Sequence, residues 1–277
     1  MRFCITGYGS IAAVHRDALL PMAGVEIDSV VGRLIEPTRE FADSCGAPLA
    51  TLDLGEALAR PRVDAVLITS PSQVHYAQAR AALEADKHVL LEIPMALSYA
   101  EAAALCDLAD ARGKTLMICH TERFWASTME SKRRIVAREL TPSHIHVEWH
   151  FFRRENINWM GRRRSWTDNL LWHHGGHAVD HAIWLFGEAP VEARAFFGPT
   201  DNPLGIPLDV SAQMRFPSGG LATLALSYNA IVPAAVQRYT VIAEEDFLVY
   251  DAGRFTDRDG NVLSEETNED AVPRQNE

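Results

Sequence analysis

Positive charge is scarce in this chain: 26 Lys and Arg stand against 37 Asp and Glu over 277 residues, a formal net charge of −11. A general nucleic-acid binder needs a basic surface to displace counterions from phosphates, so that class is excluded. Cysteine is scarce as well. Cys4, Cys45, Cys106 and Cys119 lie far apart with no Cys-x-x-Cys spacing, which predicts reduced, buried thiols in a cytoplasm rather than a disulfide framework. No apolar run approaches the roughly 18–20 residues that span a bilayer, and Met1-Arg2-Phe3 leads straight into a glycine turn, so neither a membrane segment nor a signal peptide is expected. Internal repeats are absent too. What is present is ordinary globular composition, 47% apolar and 23% charged, in a chain long enough for two modest domains.

From residue 2 to about 120, short apolar runs alternate with helical ones, the pattern of parallel β-α-β units. Strands are expected at Arg2–Thr6, Val25–Val31, Ala65–Thr69, His88–Leu91 and Thr115–Cys119. Helices are expected at Ile11–Leu20, Ser72–Ala85 and Tyr99–Ala111, the last capped by Ser98. Five strands with helical crossovers make a doubly wound parallel sheet. Beyond about residue 122 the period changes to two, at His144–Phe152, Val191–Phe197, Val210–Phe216, Leu221–Tyr228, Tyr239–Ala243 and Phe247–Tyr250, interrupted by one helix near Trp172–Phe186. The fold class is therefore α/β: a Rossmann domain over residues 1–122, then an α+β domain over 123–277 with a mostly antiparallel open sheet. The polar stretch from Asp257 to Glu277 is expected to be loop or disordered.

Gly7-Tyr8-Gly9-Ser10-Ile11-Ala12 matches G-x-G-x-x-G/A between the first strand and the first helix. Gly7 turns the chain, Gly9 lets backbone approach a pyrophosphate, and the amides at Ser10 and Ile11 open the helix on which that pyrophosphate rests. An acid at the tip of the second strand would hold the ribose 2′-hydroxyl of NAD. Here the strand ends Val30-Val31-Gly32-Arg33, so Arg33, with Thr38 and Arg39 nearby, points to the 2′-phosphate of NADP, with NAD as the other possibility.

The densest chemistry lies in Trp172-His173-His174-Gly175-Gly176-His177-Ala178-Val179-Asp180-His181. His173, His177 and His181 recur every four residues and would share one face of a continuous helix. Imidazole titrates near neutrality and suits a base that accepts a hydroxyl proton, but the same spacing also fits zinc ligands or a purely structural set. No His-Glu-x-x-His motif accompanies the cluster, so no metal is assigned. Arg123, Arg154 and Arg164 stand beside aromatic and histidine segments, and in an acidic protein they predict a small anionic substrate. An NADP dehydrogenase, a metal-dependent lyase or hydrolase, and a non-catalytic dinucleotide sensor are the readings open at this level.

Thr69-Ser70-Pro71-Ser72-Gln73-Val74-His75 after one strand and Glu92-Ile93-Pro94 after the next resemble the Gfo/Idh/MocA oxidoreductases over nearly the whole chain. The resemblance implies that Thr69, Ser70, Pro71, His75, Glu92, Ile93 and Pro94 border the nicotinamide ribose. Family members usually read Glu-Lys-Pro, with a lysine that serves proton transfer; Ile93 stands in its place, and that role does not carry over. His177 matches the family histidine and Asp180 its later aspartate, while His173 occupies the place of an earlier Asp. On this alignment His177 is the first choice for the base, His173 the second, and Asp180 orients a neighbour or meets substrate. The isoleucine and the arginine-rich segments resemble one branch of the family, which oxidises the cyclic hemiacetal of a dicarboxylated semialdehyde to a pyrone dicarboxylate. By the same analogy the outer sheet of the second domain forms a homodimer. Members also continue into a helix that returns to the Rossmann domain, and nothing after Asn268 is apolar enough for it, so a truncated tail is expected.

Overall fold

The computed structural model describes residues 1–157, 161, 163, 169–231, 235–266 and 271–276. Two compact units make up the chain: Met1–Cys119 together with the residues from Val272 onward, and His120–Ala271.

In the first unit β1 (Arg2–Thr6), α1 (Ser10–Leu19), β2 (Glu26–Val31), α2 (Ile35–Cys45), β3 (Leu49–Thr51), α3 (Leu54–Leu58), β4 (Ala65–Ile68), α4 (His75–Glu84), β5 (His88–Leu91), α5 (Tyr99–Arg112) and β6 (Leu116–Ile118) alternate. The strands form one six-stranded sheet in the order β3-β2-β1-β4-β5-β6, every pair parallel. Strands covered on both faces read as continuous apolar runs, and Ala65-Val66-Leu67-Ile68 is buried throughout. Alternate side chains feed separate cores: Phe3, Ile5, Leu67 and Leu90 pack with α1 and α2, while Val66, Ile68 and Leu91 pack with α4 and α5. The order reverses between β1 and β4, the switch point where ligands of open α/β sheets bind. Ser98 accepts from the Glu101 amide at 3.2 Å and caps α5, which Gly113 ends in the left-handed region at φ 59°.

The sheet has one strand more than the sequence pattern implied. Its edge strand β3 has only three residues, too few for a periodic signal, and α2 carries Pro37 in its first turn, where the missing N–H costs nothing.

The second unit contains α6 (Ala126–Val136), β7 (Pro142–His150), α7 (Gly176–Phe186), β8 (Glu192–Phe197), β9 (Asp209–Arg215), β10 (Leu221–Ser227), β11 (Val236–Ala243), β12 (Phe247–Asp251), β13 (Arg254–Thr256) and β14 (Val262–Glu265). They build an eight-stranded sheet, β14-β13-β12-β11-β7-β10-β9-β8, antiparallel except for the β7–β10 pair. Period two is explicit in β7, where Ile145, Val147 and Trp149 are buried and His144, His146, Glu148 and His150 are half-exposed on the opposite face. The buried set packs with Ala178, Ala182 and Leu185 of α7 into a single core. Burying a side chain of Leu185's size stabilises by about 1.5–3 kcal/mol.

The tail corrects the sequence reading. Polar composition concealed an edge hairpin: Asp257 Oδ1 accepts from the amides of Asp259 (3.0 Å) and Asn261 (2.9 Å) and turns the chain from β13 into β14. A further helix, α8 (Ala271–Asn276), then joins the first unit from Val272 onward, where the sequence had placed all of 123–277 in one domain and no returning helix at all. It is too short to show an apolar period, yet Val272 is 7% and Gln275 3% exposed. Among the described residues no helix is long and apolar enough to cross a membrane.

Candidate active site

The carboxyl ends of β1, β2, β4 and β5 carry the predicted cofactor residues of the first unit. Gly7 takes φ +102°, and a Cβ there would lie 2.8 Å from Thr69 Oγ1 and 2.9 Å from its carbonyl oxygen, so only glycine lets the β1 and β4 loops approach. Gly9 is the N-cap of α1, and a Cβ built on it would meet nothing within 4 Å. Open space before a helix N-terminus suits the approach of a pyrophosphate, with Ser10 and Ala12 buried behind it and Ile11 half-buried. The residues present thus fit a dinucleotide.

At the end of β2, a Cβ on Gly32 would overlap Thr38 Oγ1 and the Tyr8 ring, and Arg33 beyond it is exposed. The acid within β2, Asp28, is 3% exposed and is taken by Arg60, so it does not compete at the tip. Thr38 is not the accessory donor the sequence implied. It is buried, and its hydroxyl donates to Leu34 O at 2.6 Å.

After β4, Thr69 is buried and donates to Thr6 O at 2.7 Å, while Ser70 and Pro71 are half-buried. His75 is 1% exposed, with Nδ1 2.7 Å from Pro94 O and Nε2 2.8 Å from Ser70 O. It ties the β4 and β5 loops together, so its place is behind the site rather than in it. Glu92 and Ile93 are half-buried, and Pro94 is buried.

In the second unit the chemistry gathers on α7 and on the 3-10 turn Thr121–Phe124. Asp180, its side chain 11% exposed, receives Arg123 in a two-pronged pair: Nε donates to Oδ2 at 2.7 Å and Nη2 donates to Oδ1. The guanidinium also lies over the Trp184 ring, 4.4 Å from its centroid. Asp180 Oδ2 is 3.5 Å from His120 Nδ1, and the His120 ring stands edge-on to His177 at 6.4 Å. His177 itself stacks on Trp149 at 6.0 Å and 25°. His177, Asp180 and Arg123 are therefore brought together as the sequence implied, and His120 joins them. Arg123 is a partner of Asp180, not the free carboxylate clamp predicted for it.

His173, His177 and His181 do not lie on one continuous α-helix, because His173 falls in a π-helical turn and the other two in α7. Leu171–Gly175 forms a single π-helical turn before α7, and such turns recur at functional sites because the extra residue rotates the side chains on either side of it. Gly175 permits it, since a Cβ there would lie 2.7 Å from Leu171 Cδ1 and 3.2 Å from Leu226 Cδ1. His174 packs on Trp149, as His177 does. Its Nδ1 is 2.7 Å from the Tyr228 hydroxyl and its ring stacks on Phe151 at 4.6 Å, with His173 edge-on behind it at 4.4 Å.

His181 is wholly buried against Tyr239, 3.5 Å from Glu122. Burial pushes Glu122 well above the usual carboxylate range, with the Asp180 charge adding to it, and lowers His181 to about 4 against the opposing pull of Asp180. Arg154 is also committed: it donates to Tyr228 O at 2.9 Å and lies over Phe152. Arg164 lies outside the described residues. Sequence reasoning missed His120, Glu122, His174 and Tyr228. His120 and Glu122 were legible as neighbours of Arg123, whereas nothing local marks Tyr228.

Comparison with known proteins identifies the family of both units. Residues 1–120 match the oxidoreductase family with NAD-binding Rossmann fold, and residues 127–262 match the C-terminal domain of bacterial oxidoreductases. The chain is 43% identical over 229 residues to 4-carboxy-2-hydroxymuconate-6-semialdehyde dehydrogenase of Sphingobium sp. (strain NBRC 103272 / SYK-6), covering 83% of this chain and 72% of that protein. It is 26% identical over 254 residues to the NADP(+)-dependent scyllo-inositol 2-dehydrogenase of Bacillus subtilis (strain 168), covering 88% and 67%. The crystal structure of GenD2 from gentamicin A biosynthesis, in complex with NAD, superposes with a TM-score of 0.83 at 21% identity over 99% of this chain and 84% of that one, a likeness of fold. With the glycine turn at the switch point and the histidine–aspartate helix in the second unit, these matches make the chain a member of the Gfo/Idh/MocA family of NAD(P)-dependent oxidoreductases.

Proposed function

We propose that this dehydrogenase uses NADP to oxidise the cyclic hemiacetal of 4-carboxy-2-hydroxymuconate-6-semialdehyde, or a closely similar carboxylated alcohol, to the lactone 2-pyrone-4,6-dicarboxylate. The observation that carries the reading is His177, stacked on Trp149 and facing His120 beside the Arg123–Asp180 pair, in a chain whose family lysine is Ile93. Bound NADP supplies the hydride acceptor. His177 takes the hydroxyl proton as the carbon–oxygen double bond forms. Asp180, held by Arg123, sets a carboxylate oxygen 3.5 Å from His120 Nδ1, and the His120 ring in turn stands edge-on to His177. Arg164 is the proposed partner of a substrate carboxylate, while Arg123 and Arg154 act by fixing Asp180 and the backbone at Tyr228. The 43% identity to a dehydrogenase of that semialdehyde supports the substrate class. Turnover of the hemiacetal, monitored by nicotinamide absorbance beside scyllo-inositol and other cyclic alcohols, tests it; a cyclic alcohol turned over faster than the hemiacetal would replace the proposed substrate.

The NADP preference rests on Arg33, exposed past Gly32, where the strand end Val30-Val31-Gly32 carries no acid. A charge-assisted hydrogen bond contributes about 1.5–3 kcal/mol, so Arg33→Ala is expected to weaken NADPH binding about tenfold and leave NADH nearly unchanged. Fluorescence titration of both nucleotides reads this directly. Equal losses for the two would remove Arg33 from 2′-phosphate recognition.

A homodimer through the outer sheet face belongs to the same reading. Helix α7 covers one face of the eight-stranded sheet; β8 is exposed along its whole length, and its Phe196, opposite the exposed Ser211 of β9, stands on the other face 78% accessible. Sedimentation of the full chain is expected to give a dimer that Phe196→Glu dissociates; a monomeric parent would sink the assignment.

A further inference from the structure

One buried titratable network in the first unit plays no part in the chemistry above. His15 of α1, 0% exposed, sits between a residue of the β5 loop and one of α8: its Nε2 is 2.7 Å from Glu92 Oε1, and Asn276 Nδ2 is 3.1 Å from its Nδ1. A carboxylate only accepts, so Nε2 must carry the proton that faces Glu92. The singly protonated ring then presents a bare Nδ1, which requires a donor, and the Asn276 amide is that donor. The last helix therefore selects the tautomer of His15, and the tautomer decides whether Glu92 has a donor on that side. Glu92 passes the constraint on: its second oxygen, Oε2, accepts the Ile93 amide at 3.2 Å. At the far end of the same segment, Pro94 O lies against His75.

We infer that His15 and Asn276 are positioning residues for the dinucleotide, holding Glu92 and through it the backbone of Ile93, and that α8 is in this sense part of the cofactor site. The inference rests on the reading of Glu92–Pro94 as a border of that site.

Cys119 offers the rival explanation. Its Sγ is 3.9 Å from His15 Nε2, and the donor atoms of His15, Glu92 and Cys119 lie within 4.8 Å of one another, as ligands of a metal would. The 2.7 Å separation of Nε2 and Oε1 is, however, that of a direct hydrogen bond. Tetrahedral zinc with bonds of about 2.0–2.1 Å would need that nitrogen and oxygen about 3.3 Å apart. Burial, with the Glu92 charge behind it, pushes the Cys119 thiol well above its ordinary range, as suits a protonated bystander.

The test uses the full-length chain and reads NADPH affinity by fluorescence, thermal midpoint and zinc content on each variant. His15→Leu is expected to weaken NADPH binding about tenfold and Asn276→Leu about fivefold, each raising KM for the nucleotide with kcat little changed, because a partner lost from a buried polar group leaves it unsatisfied. His15→Gln restores most of the affinity, since its amide keeps a donor toward Glu92 and an acceptor toward Asn276. A merely structural role would lower the thermal midpoint and affinity together and show no rescue by glutamine, which overturns the inference. Unchanged affinity in Asn276→Leu overturns it as well, and so does stoichiometric zinc that Cys119→Ser releases. A parent chain that binds neither nucleotide would instead sink the cofactor reading beneath it, and the inference with it.

Discussion

His177→Ala is expected to lower kcat by about 10²–10⁴-fold, the usual contribution of a positioned general base, with nucleotide affinity retained. The two effects separate because His177 belongs to the second unit and the glycine turn to the first. His177 is held on one side by Trp149 and faces His120 on another, and alanine removes its imidazole from between them. The acid limb of the pH–rate profile should flatten in the variant, because protonation of the base no longer limits turnover. Steady-state rates across pH, with the hemiacetal as substrate, provide the check. Full turnover in the variant would remove His177 from the mechanism and leave His120 or His174 as candidates, each of which the structure places nearby.

Arg123→Ala is expected to destabilise the folded protein by about 2–4 kcal/mol. Removing one partner of a buried ion pair costs about 3–5 kcal/mol because the other charge is stranded, and the lower range applies here because the Arg123 side chain is 32% exposed. Asp180, left without its guanidinium, would keep only its repulsion of buried Glu122, which the Asp180 charge already acts to raise. The contact with Trp184 is lost in the same step. The double variant Arg123→Ala with Asp180→Asn should recover much of the loss, since it leaves no uncompensated charge. Urea unfolding of the parent, both single variants and the double variant measures the coupling. Simple additivity would mean that the pair contributes nothing beyond two independent side chains, and that Arg123 is free for an anionic substrate after all.

Both expectations turn on contacts that only the folded chain discloses. The alternation of apolar runs, the glycine turn, the missing acid before Arg33 and the His177–Asp180 spacing were legible because each depends on backbone geometry or periodicity within a few residues. Gly7 needs its positive φ whatever lies beyond it, and a strand covered on both faces must read as Ala65-Val66-Leu67-Ile68 reads. Polar commitments are different, because a charged side chain takes whatever partner burial leaves beside it. Arg123 finds Asp180 across 57 residues, and Asn276 reaches His15 across 261. No local pattern encodes either pairing. The π turn shows the same limit at closer range: a four-residue spacing read as one continuous helix is interrupted at Leu171–Gly175, where Leu171 and Leu226 pack close against Gly175. The parallel sheet, the glycine turn and the helix that carries His177 and Asp180 could be read from residues a few positions apart. Which arginines pair with the protein's own carboxylates, what the histidines pack against, and what the last helix holds depend on tertiary structure, because distant segments supply those low-dielectric neighbours.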